Sequence, residues 1–249
     1  ISLLFRLGLE RSLAFAALRM VAQLALIGHV LTFIFAQSSP AWTFGMAAVM
    51  VAVAGFEIAQ RQDRPFAGLW THGLGAVTLL TVGTCATLYA VLGAIGPNPW
   101  WSPRYLLPIF GMVLGNTLTA VSLALQTITD AAWRERAQLE TRLALGATRL
   151  DAFAGVLRRA LRTALMPIIN AMAAAGIVTL PGMMTGQIVA GIDPAEAAKY
   201  QILIMFVIAG SAALGAVIAA FAAVWRLTDH RHRLRLDRLA PAAADAARD

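Results

Sequence analysis

Cysteine occurs once in these 249 residues, lysine once, and acidic side chains number only 13. Each scarcity excludes something. The single thiol, Cys85, permits neither an intramolecular disulfide nor a cysteine metal cage, and its place in an apolar run suits a small buried hydrophobe. Charged residues make up 13% of the chain against 59% hydrophobic ones, too few to cover a water-soluble domain. No Walker-type phosphate loop occurs, so ATP hydrolysis is not expected here. The His230–His232 pair has no carboxylate or cysteine cluster beside it, which argues against a permanent metal site. No cleavable signal peptide is visible. The chain opens at Ile1 with charges close behind, which reads as a sequence lacking its natural start and one upstream helix.

What is present is apolar sequence in long runs. A hydrocarbon core of about 30 Å needs roughly 20 apolar residues as helix. Six spans meet this, at 12–36, 41–60, 66–94, 104–128, 164–190 and 199–225. The expected fold is all-α, a polytopic transmembrane helical bundle. Its links carry turn formers: Gln37-Ser38-Ser39-Pro40 between the first two spans, and Gly96-Pro97-Asn98-Pro99 with interfacial Trp100 and Trp101 after the third. Residues 1–228 read as the transmembrane domain and 229–249 as a basic tail, disordered after Pro241 and suited to anionic lipid.

The formal charge of +7 is distributed unevenly. Segments 1–11, 61–64, 129–163 and 226–249 hold 17 basic residues, and the opposite turns hold two, Arg104 and Lys199. The positive-inside rule then puts both visible ends in the cytoplasm of a bacterial inner membrane, and explains the basic balance without nucleic acid.

The one long loop, 129–163, is amphipathic. Leu139, Leu143 and Leu145 form one stripe; Leu150, Phe153, Leu157 and Leu161 form a second at spacings of three and four. Gly146 suits the left-handed position that ends a helix, and Thr148 followed by Asp151 suits the start of another. A helix, a glycine corner and a second helix entering the membrane make a shape that docks in a groove of a partner protein.

Within the fifth span lies Leu-Pro-Gly-Met-Met-Thr-Gly-Gln-Ile at 180–188. Pro181 and Gly182 break a helix, and broken backbone in lipid lines protein or a water-filled cavity. Pro181, Met183, Met184 and Gln187 are therefore candidates for a bend or a substrate surface, with a kinked packing helix as the plain alternative. Glu57, near the inner end of the second span, is a candidate because intramembrane carboxylates are functional or snorkel to the interface. Asn116 sits beside a Gly111–Gly115 packing face, and Asn170 lies three residues after Pro167. Both are pathway candidates that serve equally as glue or as a cap for freed carbonyls. Gln23 reads likewise, and His29 reads as packing.

Several of these stretches carry a resemblance. Glu140 followed six residues later by Gly146 is similar to the Glu-Ala-Ala…Gly loop of ABC-importer permeases, although Thr141 and Arg142 replace the alanines and the later Leu-Pro is displaced to Met166-Pro167. Pro-Ile-Phe-Gly-Met-Val-Leu-Gly-Asn at 108–116, Leu-Gly-Ala-Thr at 145–148, Leu-Pro-Gly-Met-Met-Thr-Gly at 180–186, Ala-Gly-Ile-Asp-Pro at 190–194 and Lys-Tyr-Gln-Ile at 199–202 resemble the FetB-type permease family of ABC transporters, from about residue 9 to 233. That family is described as exporting iron, with plant relatives linked to aluminium tolerance. The resemblance implies a non-enzymatic subunit without cofactor that pairs with a second copy of itself and a separate cytoplasmic ATPase. It also implies that the ATPase is contacted through Glu140, Leu145, Gly146, Ala147 and Thr148. The rivals are a secondary transporter, which needs paired intramembrane charges, an ion channel, and an intramembrane enzyme, which needs a convergent catalytic set.

Overall fold

The computed structural model describes residues 10–37 and 39–240; the Ser38 turn position and the end after Pro241 lie outside them. Among the described residues there are eight α-helices and no strands. They are α1 (Glu10–Gln37), α2 (Pro40–Gln60), α3 (Trp70–Leu88, prolonged by the π-helical Tyr89–Ile95), α4 (Pro103–Arg134), α5 (Arg136–Ala144), α6 (Arg149–Ala174), α7 (Gly182–Val189) and α8 (Pro194–Leu227). Five stretches are long and apolar enough to cross a membrane: Leu13–Gln37, Pro40–Gln60, Trp70–Ile95, Pro103–Arg134 and Pro194–Leu227.

Local chemistry sets the helix ends. Proline stands in the first turn of α2, α4 and α8, where its missing N–H is no loss. Asp193 caps α8 by accepting from the N–H groups of Ala195 (2.9 Å) and Glu196 (3.3 Å). Helices α4 and α8 hold 32 and 34 residues. At 1.5 Å per residue that is about 50 Å, well beyond a 30 Å hydrocarbon core. Both therefore project past it at the arginine-rich end, and α5 and α6 pack there.

The core sits between α4 and α8. Small side chains let the two approach: Ala212, Ala216, Ala219 and Ala220 are buried against Ala120, Val121 and Ala124. Gly215 is required at this contact, since a Cβ there would lie 2.5 Å from Cγ2 of Thr117. A larger cluster continues toward the basic end through Leu125, Ile128, Leu139, Phe153 and Leu227. A smaller one, with Val91, Val113, Ile168 and Ile204, lies toward the opposite end.

Two expectations need correcting. Span 164–190 is not one helix. α6 stops at Ala174, and a turn follows in which Gly176 (φ 86°) donates to Thr179 O at 2.8 Å. Pro181 then caps the short α7. The β-branched run Ile177-Val178-Thr179 between a left-handed glycine and a proline favours this break over a bend. Pro181 thus starts a helix and does not strand a carbonyl inside one. Cys85 is exposed. The buried stripe of α3 runs through Gly75, Thr78, Leu79, Val82 and Gly83, and Cys85 lies off it.

Beyond α8 the chain folds back. Thr228 bridges Leu234 and Phe66 bridges Leu239. Ala67 N–H donates to Arg238 O and Ala240 N–H to Pro65 O, both at 2.8 Å. Residues 228–240 therefore clasp the α2–α3 link to the end of α8.

Candidate functional site

Three places gather the candidate residues. The first is the corner between α5 and α6. Gly146 adopts φ 91°, a conformation that L side chains rarely take. Thr148 Oγ1 accepts from Asp151 N–H (3.3 Å) and donates to Asp151 Oδ2 (2.6 Å), so the side chain both caps α6 and is held by it. Leu139, Phe153 and Leu157 face inward and fix the corner to the ends of α4 and α8. Leu145, by contrast, is 83% exposed at the tip, and Leu150 is exposed beside it. Glu140 is exposed and pairs with Arg136 at 2.9 Å. Glu135 pairs with Arg159 across the corner. The result is a rigidly capped bend that presents an apolar tip.

The clasp braces this corner. His232 Nδ1 accepts from the backbone N–H of Arg149, the first residue of α6, at 3.2 Å. The Arg149 guanidinium lies over the Trp225 ring, and Arg226 over Trp70. Asp229 holds the clasp turn. It accepts from the N–H groups of Arg231 and Arg233 at 2.9 Å each and from Arg233 Nε at 3.0 Å. These bonds, the Arg233 backbone N–H foremost, lower its pKa to about 2. Arg235 forms a forked pair with Asp237, both bonds 2.8 Å, which raises the arginine and lowers the carboxylate.

The second place is a groove of about 940 Å³ bounded by α1, α2 and α4. Its walls are apolar apart from Arg19, Gln23 and Glu57. Glu57 Oε2 accepts from Arg19 at 3.1 Å, and Oε1 lies 3.5 Å from Arg61. The α1–α2 hairpin brings these residues to one level, so Glu57 is a paired carboxylate in the last turn of α2. The sequence did carry the signal: opposite charges near the same end of two consecutive spans. Gly111 and Gly115 line the groove, and a Cβ at Gly115 would meet open space. The expected close-packing face is met at Gly111, where a Cβ would lie 3.1 Å from Met50 Cε, and is open at Gly115. Asn116 is exposed, and its amide donates to Met112 O at 2.9 Å.

The third place is the α6–α7–α8 turn at the opposite end. Pro181 and Met184 line a cavity of about 330 Å³ with Met172, Met205 and Gln201. Met183 turns away and packs on the cluster of Val113, Ile168 and Ile204. Gln187 keeps its Oε1 buried without a hydrogen-bond partner. Asn170 is exposed on α6 and does not cap the carbonyls near Pro167. The structure therefore separates the candidates: Glu57 lies at one mouth, Pro181 and Met184 at the other. Met172 and Met205 were missed because each sits within an apolar run, and Gln201 was noted only as part of Lys-Tyr-Gln-Ile at 199–202. Among the described residues no group of three or more His, Cys, Asp or Glu side chains converges to hold a metal.

Comparison with known proteins fits this helical arrangement. The model of the "Uncharacterised protein family (UPF0014)" matches residues 1–227. The chain is 38% identical to the UPF0014 membrane protein slr1647 of Synechocystis over 91% of its length and 86% of the relative's. It is 32% identical to the probable iron export permease protein FetB of Escherichia coli, over 94% of this chain and 88% of that one. It is 34% identical to the protein ALUMINUM SENSITIVE 3 of Arabidopsis thaliana, over 86% and 77%. No solved structure matches. With five helices long and apolar enough to span a bilayer and a family model covering nearly its whole length, this chain is an integral membrane protein belonging to the uncharacterised protein family UPF0014.

Proposed function

We propose that this chain is the membrane-spanning subunit of an ABC transporter that exports iron or another metal, powered by ATP hydrolysed in a separate subunit. The observation that carries the reading is the capped corner at 145–148. A docking element has to transmit force, so it must be stiff. Here Gly146 sets the bend, Thr148 caps α6, and Leu139 and Phe153 root the corner in the core, while Leu145 points away with nothing of its own chain to cover it. Glu140, Leu145, Gly146, Ala147 and Thr148 would contact the ATPase, and its ATP-driven motion would pass through α6 to the turn at Pro181.

In this reading the chain crosses the inner membrane six times. The sixth crossing is a composite of the second half of α6 and the short α7. Two copies line the pathway, with Glu57, Asn116, Asn170, Pro181, Met183, Met184 and Gln187 along it. No bond chemistry falls to the permease. The relative named for iron export supports the metal, and the relative named for aluminium sensitivity fits a metal-related role.

The test is reconstitution in proteoliposomes with and without a partner ABC ATPase subunit. ATP-dependent metal movement that vanishes without the ATPase supports the proposal. One observation favours a second reading: the Arg19–Glu57 pair is the paired intramembrane charge that a secondary transporter needs. Movement driven by an ion gradient, without ATPase, would establish that reading instead.

A further inference from the structure

The cavity at the α6–α7–α8 turn has an unusual set of donors. Three of the chain's nine methionines, Met172, Met184 and Met205, border it. Gln201 joins them from α8. Its side chain is 7% exposed, and its Oε1 atom is buried without a hydrogen-bond partner. A buried amide oxygen left unpaired is unfavourable unless something in the cavity takes it. The other residues around it, among them Ala175, Ile202 and Phe206, are apolar, and among the described residues no carboxylate or cation borders the space.

We infer that this cavity binds a soft monovalent cation of the Ag⁺ or Cu⁺ class through the thioether sulfurs of Met172, Met184 and Met205 and the side-chain oxygen of Gln201. Thioethers select soft d¹⁰ ions, whereas Fe²⁺ and other harder ions favour imidazole and carboxylate. All four donors are neutral. A divalent ion would bring two uncompensated charges into an apolar site, and a monovalent ion brings one. Methionine has three rotatable bonds and a polarizable sulfur, so the donors can gather round an ion and release it. A volume of about 330 Å³ leaves room for water alongside the ion. Such a site holds its cargo transiently, as a transporter needs. The inference deepens the metal-permease reading but does not need it, because binding is measured on the permease alone.

The experiment uses the purified full chain in nanodiscs and Ag⁺ as the probe. Cys85 is exposed and would bind silver itself, so it is first replaced (Cys85→Ser). Isothermal titration gives the affinity, and silver-edge X-ray absorption reports the neighbouring atoms. The expected result is about one ion per chain with sulfur in its shell. In M172L/M184L/M205L, which conserves volume, affinity should fall about tenfold or more and the sulfur signal should disappear. Gln201→Leu removes an unpaired buried oxygen, so it should fold as well as the parent and bind silver more weakly. Met46→Leu with Met50→Leu, in the groove under α1, should change nothing. The inference is overturned if the Cys85→Ser protein binds no silver, or if the triple variant and Gln201→Leu both bind it as the parent does. Absence of silver binding by the Cys85→Ser protein, with ATP-dependent iron export intact, would remove this site and leave the proposed function standing.

Discussion

At the scale of single residues, backbone conformation and close approach decide more than polarity does. Gly146 could be recognised from its place between two amphipathic stripes, and its φ of 91° bears this out. Forcing a β-branched residue into that region costs about 1–3 kcal/mol. Gly146→Val should therefore deform the corner and reduce ATPase co-purification and stimulation, whereas Gly146→Asn, which tolerates the left-handed region, should retain most of both. Normal values for the valine variant would remove the corner from the interface. Gly215 makes a different demand. Its space is taken by Thr117, so Gly215→Ala should lower the thermal midpoint by an overpacking cost of about 1–3 kcal/mol. Thr117→Ala should restore it, because Thr117 Oγ1 is buried without a partner and loses no bond. If the double variant is no more stable than Gly215→Ala, the α4–α8 contact is not the source of the loss. The Arg19–Glu57 pair can be tested in the same way. Glu57→Gln removes the partner of both Arg19 and Arg61 and should destabilise more than Arg19→Gln, which leaves Glu57 its 3.5 Å contact with Arg61. Both losses should be about 1 kcal/mol or less, and the double variant should lose no more than Glu57→Gln alone. Additive losses would mean that the two charges act independently.

Elements whose ends are marked by sequence were legible; those whose ends depend on tertiary contact were not. Pro40, Pro103 and Pro194 stand at three helix starts, and the spans at 12–36, 41–60, 66–94 and 199–225 are found within about five residues, whereas the 104–128 helix runs on to Arg134. Hydropathy alone could not detect the break after Ala174, because Ile177, Val178 and Leu180 are as apolar as a membrane helix. The left-handed Gly176 and the proline that follows set it. The clasp was illegible for the opposite reason. Its arginines look like a solvated run, and only the fold brings Asp229, His232 and Arg238 to their partners. Asp229 supplies a test of this element. Its carboxylate has a pKa of about 2 in the folded chain, against an ordinary 3.8. A depressed carboxylate stabilises above its unfolded value and loses that contribution as pH falls through the folded one. The clasp should therefore stay closed at pH 5–7 and open only as pH drops below about 4 toward 2. Asp229→Ala should open it at neutral pH, seen as faster proteolytic cleavage after Arg231 or Arg233. Unchanged cleavage in that variant would mean that the main-chain bonds to Pro65 and Ala67 suffice.

For the whole molecule, the distribution of charge and the geometry of the bundle make the same claim about direction. The basic end gathers Arg61, Arg149 and Arg226 together with the corner, and the long helices α4 and α8 overshoot a bilayer toward it. The opposite end holds the short turns and the methionine cavity. If the arginine excess faces the cytoplasm, the corner meets the ATPase and the cavity lies toward the outer face, which is the order that an ATP-driven transporter requires. Single cysteines in a Cys85→Ser background test this with an impermeant thiol reagent on intact cells. Cysteine at Pro97 or Ile192 should be labelled at once; Ile192 is preferable to Asp193, which caps α8. Cysteine at Asp63, Ala137 or Arg231 should be labelled only after the membrane is permeabilised. Asp63 is preferable to Gln62, which is buried and donates to Ser122 O at 3.1 Å, and would resist the reagent on either side. Labelling of Asp63 and Ala137 in intact cells, with Pro97 protected, would invert the chain. The corner would then lie where no ATP is available, and the export reading would fall with the orientation.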